Sequence, residues 1–263
     1  YADHRMPSVP NLPSSSFLSD SNPDSNLVSI SEPKIDQIIK NYHNIMLSVN
    51  CRSLVSNFEL LKPIVKKCNP KIIAVSEIWR ATAASSLLDN YQTPIFKNRL
   101  KRNGGGCGLY FRKDVQITKN KLKVNELNLK IFEIIAAEIK MDQKEIIIVS
   151  AYRPPNSSIP ETLNDFQKIL ESLANSNKRF ILAGDINIDL KNPSNLSEQY
   201  SDIITHHHCT QMVTEATRVT SSTQTCIDHV ICNFEKGMKI EVSDDQVADH
   251  RSVICAWKFK AKS

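Results

Sequence analysis

Five polar residues in the carboxyl-terminal half of the chain stand at the ends of short apolar runs, and their types could do acid–base or metal chemistry. Asp185 and Asn187 directly follow one such run. Asp228 begins a second run, and Asp249 with His250 precedes a third. Residues two positions apart in a strand point to the same side, so Asp185 and Asn187 could act together. One could bind a metal ion or take up a proton while the other holds a water molecule or a phosphate oxygen.

Further polar residues nearer the amino terminus fit the same pattern. Asn50 and Glu77 each close an apolar run, and Tyr152 ends another. Arg153 follows, with a Pro-Pro pair that stiffens the loop. The carboxyl ends of strands are where open α/β sheets build their sites. Taken alone, Asn50 could instead be a turn residue, and Glu77 an exposed acid at a strand end.

The elements that must position these residues are short apolar strands and amphipathic helices. Strands are predicted over residues 43–50, 71–76, 107–112, 131–140, 145–151, 227–232 and 251–258, and from residue 180. Helices are predicted over residues 57–68, 161–174 and 197–207. The strands at 107–112, 131–140 and 145–151 are close in sequence, which favours antiparallel neighbours. The order predicts a β-rich mixed pair of sheets between helices.

Composition indicates one large domain. The chain has 263 residues and is 41% hydrophobic, which is enough for a sizeable core. Residues 1–40 are rich in Ser, Pro, Asn and Asp, so we predict a disordered leader there and a single catalytic domain over residues 41–263. The seven cysteines lack CxxC spacing and are expected to be reduced thiols. No run approaches the ~18 apolar residues of a membrane span. Because the chain begins with Tyr, we expect it to be cut from a longer protein.

A basic cluster lies in the first half of the chain. Residues 97–123 contain nine Lys or Arg residues and one acid, Asp114. Four of the six glycines fall within residues 104–108, beside this cluster. A phosphate backbone would be attracted to such a segment, and glycines would let it approach closely. The alternative is a solvated surface with a flexible hairpin turn.

Several motifs together, in this order, resemble one family. They are the Asn, Glu, Gly-Asp-x-Asn, Asp and Asp-His residues above, with the segments 102–110, 151–156, 216–218 and 225–231. Across residues 42–259 the chain resembles the endonuclease/exonuclease/phosphatase superfamily, and within it the apurinic-like endonuclease domain of non-LTR (LINE-type) retrotransposons. The resemblance implies an α/β (α+β) fold: a four-layer α/β/β/α sandwich of two mixed, largely antiparallel sheets flanked by helices.

The resemblance also implies a metal site. Glu77 would bind the ion, with Asn50 and Asp249 beside it. Mg²⁺ is the expected cofactor because it favours carboxylates, water and phosphate oxygens, and Mn²⁺ is a possible substitute. Ala248 stands where the family often has serine, which removes one small hydroxyl and no ligand.

The remaining residues would act on a phosphodiester. Asp185 would orient or deprotonate the attacking water, and Asn187 would hold a phosphate oxygen. His250, with Asp228 as its carboxylate partner, would contact the phosphate as a cation. Tyr152 would contact the phosphate as well. DNA-backbone contacts are predicted for four basic residues: Arg99, Lys101, Arg102 and Arg153.

The function implied by the resemblance is that of a Mg²⁺-dependent DNA endonuclease. It would nick one strand and leave a 3′-hydroxyl that primes reverse transcription. We expect a monomeric domain, fused to a reverse transcriptase, that is intracellular and acts in the nucleus. The alternatives within the fold are abasic-site repair nucleases, RNA deadenylases and inositol-phosphate phosphatases. A catalytically silent, domesticated nucleic-acid-binding module is the alternative outside enzymes.

Overall fold

Two β-sheets packed face to face form the centre of the molecule in the computed structural model. The structure describes residues 34–99, 104–119 and 121–259. The strands are, in chain order, β1 (Asn44–Asn50), β2 (Ile72–Ser76), β3 (Ile95–Lys97), β4 (Cys107–Phe111), β5 (Gln116–Lys119), β6 (Glu133–Met141), β7 (Lys144–Tyr152), β8 (Arg179–Asp185), β9 (Thr210–Gln211), β10 (Arg218–Val219), β11 (Gln224–Thr225), β12 (Asp228–Cys232), β13 (Met238–Val247) and β14 (His250–Trp257). The helices are α1 (Lys34–Asn41), α2 (Phe58–Cys68), α3 (Ile159–Ala174) and α4 (Asn195–His206), with a 3-10 turn at Lys123–Glu126.

The two sheets are mixed and largely antiparallel. The first has the order β11-β10-β14-β1-β2-β4-β3, and β13 also pairs with β14. The second has the order β5-β6-β7-β8-β12-β9. The parallel pairs are β1 with β2 and β7 with β8. Each parallel pair is linked through a helix, and parallel neighbours end at the same edge of their sheet.

Three apolar clusters define four layers. The cluster between the sheets joins side chains of both, such as Met46, Ile148 and Trp257. A second cluster packs α1 and α2 on the outer face of the first sheet. The third packs α3 and α4 on the outer face of the second sheet. The architecture is therefore the predicted α/β/β/α sandwich.

Strand alternation aims the polar residues at the strand ends into the space between the sheets. In β1, Met46 lies in the inter-sheet core, and Asn50 follows it at an even spacing. In β8, Ile181 and Ala183 lie in the same core, and Asp185 continues that face. Gly184 has φ 147°, and a Cβ there would collide with the carbonyl of Ala151 on β7. The glycine therefore lets the two strands approach closely one residue before Asp185.

The domain extends further toward the amino terminus than residue 41. The predicted disordered leader includes residues 34–40, but these belong to α1, whose Ile38 is buried in the core cluster beneath the first sheet. The rest of the predicted leader, residues 1–33, lies outside the described residues. Within the described ranges, no helix combines the length and the apolar character needed to cross a membrane.

Two predictions about strands are wrong or incomplete. Strand β4 is expected from sequence beside β6 and β7, but it pairs with β2 and β3 in the first sheet, while β6 and β7 do pair with each other. Strand β13 is not predicted at all. Its sequence, MKIEVSDDQV, carries acids with low strand propensity, and it is stabilised by pairing with β14.

Candidate active site

A hydrogen bond between the sheets marks the site. Asn50 Nδ2 at the end of β1 donates to Asp185 Oδ2 at the end of β8, at 2.8 Å. The same nitrogen donates to Glu77 Oε1 at 3.0 Å. Asn50 Oδ1 accepts from the backbone N–H of Arg52 at 2.9 Å, which fixes the orientation of the amide. One asparagine therefore holds two carboxylates, one from each sheet. We call the group of polar side chains at these strand ends, between the two sheets, the cleft.

Glu77 reaches the cleft because the backbone leaves the strand conformation. Its φ of 52° is left-handed and comes directly after β2, so the alternation of the strand stops there. Asn50 donates to one carboxylate oxygen, and the indole N–H of Trp79 donates to the other, Oε2, at 3.0 Å. Trp79 also has a positive φ, 48°, and its side chain is 42% exposed. The carboxylate of Glu77 is thus oriented from both sides and lies at an open rim.

Asp185 is a buried carboxylate with three N–H donors. Asn187 donates to it twice, from its backbone N–H to Oδ1 at 2.9 Å and from Nδ2 to Oδ2 at 3.0 Å. The third donor is Asn50. Burial, followed by the charge of the nearby Asp228, raises the pKa of Asp185 to about 8. A carboxylate with a raised pKa is a stronger base than an ordinary aspartate.

Asp228 and His250 form a buried ion pair beside Asp185. His250 Nδ1–H donates to Asp228 Oδ2 at 2.8 Å. Burial alone would lower the pKa of His250, but the charge and hydrogen bond of Asp228 outweigh it and raise the pKa to about 9. His250 is therefore an imidazolium at neutral pH. Thr217 Oγ1 accepts from the backbone N–H of Asp228 at 3.0 Å and helps to fix the strand start.

The donor set of the cleft is suited to a divalent cation. Asp185, Asp228 and His250 offer ligand atoms that all lie within 4.8 Å of one another, so this group could hold a metal ion. A protonated imidazole cannot bind a metal, however, and Nδ1 of His250 is committed to Asp228. Glu77 offers a carboxylate at the rim, which is the hard oxygen ligand that Mg²⁺ prefers. The residues fit such an ion best on the Glu77 side.

Asp249 is held by two arginines. Its Oδ2 accepts from Nε and Nη2 of Arg218, both at 2.8 Å, and its Oδ1 lies 3.3 Å from Nη1 of Arg52. Burial would raise the pKa of Asp249, but the hydrogen bond from Arg218 and the charges of His250, Arg218 and Arg52 lower it. The structure thus shows Asp249 in an ion-pair network. Its role as a metal ligand stays a prediction.

Tyr152 lines the cleft from β7. It pairs with Asp185 across the parallel β7–β8 register and is almost fully buried. Burial, followed by the charges of Glu77 and Asp185, raises the pKa of Tyr152, so the phenol stays protonated and can donate. The guanidinium of Arg99 lies over its ring, 5.5 Å from the centroid.

The DNA contact predicted for Arg153 is wrong. The residue is 2% exposed, and its guanidinium is directed into the protein. It donates to Thr162 Oγ1 at 3.1 Å and to the carbonyl oxygens of Ile186 and Asn187 at 3.3 and 3.1 Å. Asn187 Nδ2 in turn donates to the Arg153 carbonyl at 2.8 Å. Arg153 therefore holds the turn that presents Asp185, and it cannot reach a bound backbone.

The other predicted DNA contacts are partly outside the described residues. Lys101 and Arg102 lie there. Arg99 is described; its side chain is 18% exposed and forms an ion pair with Glu133, which also accepts from the backbone N–H of Gly106. A Cβ on Gly105 would lie 2.5 Å from the Arg99 guanidinium carbon, so this loop and Arg99 are tightly packed. Contact of Arg99 with DNA stays a prediction.

Three residues at the cleft are given no role by the sequence analysis, although Arg218 lies in the motif segment 216–218. Trp79 comes two positions after Glu77, and Arg52 comes two positions after Asn50. Arg218 directly follows Thr217. The sequence feature that could have identified such residues is their position close to a residue that was predicted at a strand end. Their contacts with Glu77 and Asp249 depend on left-handed backbone and on strand pairing, which periodicity does not reveal.

Part of the chain matches a known family by sequence. Residues 146–254 match the family model described as "Endonuclease-reverse transcriptase". That stretch contains most of β7, all of β8 and β12, and most of the residues of the cleft. No curated protein matches the chain.

Solved structures with the same fold cover most of the chain. The endonuclease domain of TRAS1, a telomere-specific non-LTR retrotransposon, superimposes with a TM-score of 0.65 at 14% identity, covering 83% of this chain and 100% of that domain. The AP endonuclease LMAP of Leishmania major gives 0.64 at 11% identity, covering 82% and 88%. The 3′ phosphatase NExo of Neisseria, bound to a product DNA hairpin, gives 0.62 at 14% identity, covering 82% and 100%.

The family match includes the Gly-Asp-x-Asn turn, the Asp228 strand and the terminal Asp-His pair, and the fold agrees over four fifths of the chain. The chain therefore has the fold of these three proteins, and its residues 146–254 are similar to the endonuclease-reverse transcriptase family.

Proposed function

We propose that this domain is a divalent-metal-dependent DNA endonuclease that nicks one strand of its target and leaves a 3′-hydroxyl. The observation that carries the proposal is the position of Asn50, which donates to Glu77 and to Asp185 from opposite sheets. The amide group of Asn50 thereby holds Glu77, a carboxylate suited to a metal ion, close to Asp185, a carboxylate suited to act as a base. Phosphodiester hydrolysis needs both a metal ion and a base near the same phosphate.

Asp185 acts on the attacking water. Its Oδ2 accepts from Asn50 and Asn187, while Oδ1 accepts the backbone N–H of Asn187 and retains a second lone pair. That lone pair accepts a proton from the water as the water oxygen bonds to phosphorus. The bond from phosphorus to O3′ breaks, and the departing O3′ takes up a proton from solvent water to become the 3′-hydroxyl. The raised pKa of Asp185 suits it to this task near neutral pH.

His250 acts on the phosphate. Asp228 keeps the imidazole protonated and fixes its orientation through Nδ1, which leaves the opposite N–H of the ring for a phosphoryl oxygen. The negative charge on these oxygens grows in the transition state, and a pre-oriented cation stabilises it without reorganisation. Tyr152, kept protonated, is placed to donate to the same group.

Glu77 is the residue we propose to hold Mg²⁺, with Mn²⁺ as a possible substitute. A bound ion would stabilise charge on the phosphate and on the leaving oxygen. The hydrogen bonds from Asn50 and Trp79 keep the carboxylate directed along the rim.

The biological setting we propose is a retrotransposon protein. The matching family model is described as an endonuclease-reverse transcriptase, and the TRAS1 structure is the endonuclease domain of a non-LTR retrotransposon. Both support a DNA substrate and fusion to a reverse transcriptase, which would use the 3′-hydroxyl as a primer. Such a domain would act as a monomer on chromosomal DNA in the nucleus.

A plasmid assay tests the activity. Supercoiled plasmid is incubated with the protein in Mg²⁺, in Mn²⁺ or in EDTA, and conversion to the open-circular form is followed. Nicked product is then offered to a DNA polymerase without added primer. We expect metal-dependent nicking, and extension from the nick because the end carries a 3′-hydroxyl.

The alternatives give different results in the same assay. A repair-type nuclease, as the likeness to the Leishmania AP endonuclease would suggest, would cleave a duplex with one abasic site far faster than the intact duplex. A silent binding module would bind the plasmid without nicking it in any metal. Either result would contradict the proposed function.

A further inference from the structure

We propose that Arg52 and Arg218 form a phosphate clamp at the mouth of the cleft, with Asp249 between them as the residue that positions both guanidinium groups. The clamp would bind non-bridging oxygens of backbone phosphates next to the one that is cleaved. This inference rests on the proposed function, because it names residues that would hold the DNA strand in that same cleft.

Arg218 is fixed in position by contacts at both ends. Its backbone is paired with that of His250, since Arg218 on β10 is opposite His250 on β14. Two of its nitrogens, Nε and Nη2, donate to the same oxygen of Asp249 at 2.8 Å. The side chain is 41% exposed, so the guanidinium group is accessible from solvent beyond its contact with Asp249. A cation pre-oriented beside His250 is placed to bind the strand that His250 acts on.

Arg52 approaches the same aspartate from the other side. Its backbone N–H donates to Asn50, and its φ of 41° turns the chain sharply after β1. Nη1 lies 3.3 Å from Oδ1 of Asp249, while 55% of the side chain is exposed. Asp249 Oδ1 itself is buried and lacks a hydrogen bond of good geometry among the described residues. The ion pair between Arg52 and Asp249 is therefore weak, and the guanidinium group of Arg52 is available to bind a ligand.

Charge counting makes a phosphate the expected ligand. One carboxylate, Asp249, faces two guanidinium groups, those of Arg52 and Arg218. Arginine forks match phosphate oxygens in geometry and bind them with charge-assisted hydrogen bonds. A cluster with excess positive charge and open donors, at the mouth of a cleft that cuts phosphodiesters, is suited to the flanking phosphates.

The salt dependence of DNA affinity tests the clamp under conditions in which the DNA is not cleaved. A short fluorescein-labelled duplex is titrated in EDTA by fluorescence anisotropy at several salt concentrations, with wild-type protein and with Arg52→Gln, Arg218→Gln and the double variant. Removing one phosphate contact should reduce the slope of log Kd against log salt by about 0.9. We expect about that reduction in each single variant, twice as much in the double variant, and a several-fold weaker affinity.

The matched control is Arg179→Gln. Arg179 is an exposed arginine at the opposite end of β8, which at about 3.3 Å per residue is roughly 20 Å from Asp185. The substitution removes the same charge at a distance from the cleft, so the slope should stay that of the wild type. If Arg179→Gln reduces the slope as much as the Arg52 and Arg218 variants do, the slope reports only the net charge of the protein. That result would overturn the clamp.

Two further variants distinguish the positions of the guanidinium groups from their charge as the cause of DNA binding. Arg218→Lys keeps the charge but removes the fork, so we expect an unchanged slope with a several-fold weaker affinity. Asp249→Asn removes a negative charge, which by itself should strengthen binding to DNA. If Asp249 positions the arginines, the affinity in EDTA should instead fall. Stronger binding by Asp249→Asn would contradict the positioning role.

The clamp and the proposed function can fail separately. If wild-type protein binds DNA but never nicks it in any metal, the endonuclease proposal fails, while the slopes still test the clamp. If wild-type protein nicks DNA and both arginine variants keep the wild-type slope while melting cooperatively, the clamp is wrong and the endonuclease proposal stands.

Discussion

Asn50 Nδ2 lies 2.8 Å from Asp185 Oδ2, and this contact joins the last residue of β1 in one sheet to the last residue of β8 in the other. The candidate active site thus lies at one end of the inter-sheet core, where the strand faces that carry apolar residues end in polar residues. Its geometry depends on how the two sheets pack as well as on either sheet alone. This relationship makes Asn50 the most informative residue to change.

Asn50→Ala should reduce nicking by about 10²-fold or more, because pre-oriented polar groups contribute on that scale. The reduction should appear in kcat, with DNA affinity in EDTA nearly unchanged, since Asn50 holds two carboxylates and is buried. Asn192→Ala, at an exposed asparagine bonded to Asp189, is the control and should nick like the wild type. Near-normal kcat in Asn50→Ala would contradict the bridging role.

Asp185→Ala and His250→Ala should each reduce nicking by orders of magnitude. Both residues act on the transition state in the proposed mechanism, so the ground-state affinity for DNA should change little. Single-turnover cleavage in Mg²⁺, combined with anisotropy titrations in EDTA, measures the two quantities separately. If either variant retains nearly full turnover, its assigned role is wrong.

Asp228→Asn should move the alkaline limit of activity to lower pH. Burial lowers the pKa of His250, but the charge of Asp228 outweighs burial and raises the pKa to about 9. Activity that needs the imidazolium is present below that pKa and disappears as the pH rises through it. Without the carboxylate, burial moves the pKa of His250 toward or below its ordinary value of 6.5. The pH dependence of kcat, measured for the wild type and for Asp228→Asn, would show the shift. If kcat falls at the same alkaline pH in both proteins, the prediction is wrong.

Arg153→Met should destabilise the domain without changing its electrostatic attraction to DNA. The buried guanidinium donates to Thr162 and to the turn at Ile186 and Asn187, and the substitution leaves these acceptors unpaired at a cost of about 1–3 kcal/mol. Thermal denaturation should show a lower Tm. The salt slope of DNA binding should equal that of the wild type, and a slope lowered by about 0.9 would restore the predicted phosphate contact.

Trp79→Phe should weaken metal binding by removing a single hydrogen-bond donor. The aromatic character is kept, but the indole N–H that donates to Glu77 Oε2 is absent. We expect the Mg²⁺ concentration for half-maximal nicking to rise about 10-fold or more, because this is the usual loss of metal affinity or activity when the hydrogen-bonding partner of a metal ligand is removed. Leu87→Ala, at another exposed apolar residue, should leave the Mg²⁺ dependence unchanged. An unchanged Mg²⁺ dependence in Trp79→Phe would mean that the indole does not orient the ligand.

The order and type of the site residues were readable from the sequence alone. Short apolar runs that end in Asn50, Glu77, Tyr152 and Asp185 are strands because burial between layers demands continuous apolar residues. Their polar ends mark one edge of the sheets. The four-layer architecture followed from resemblance to a family, since periodicity gives strands and helices without saying which strands are neighbours. Residue 107 begins a strand as predicted, yet β4 pairs in the first sheet and not with β6.

Only the tertiary structure decided which polar groups meet. Arg153 and Arg218 are both arginines beside motif residues, but one is buried against a turn and the other is open at the cleft. Their difference follows from strand pairing and side-chain packing, which act between residues far apart in sequence. Likewise, Asp249 is placed between two arginines by the chain turn after β1 and the pairing of β10 with β14. Sequence determined the chemical groups at the strand ends; packing of the two sheets determined their distances, their charges and their partners.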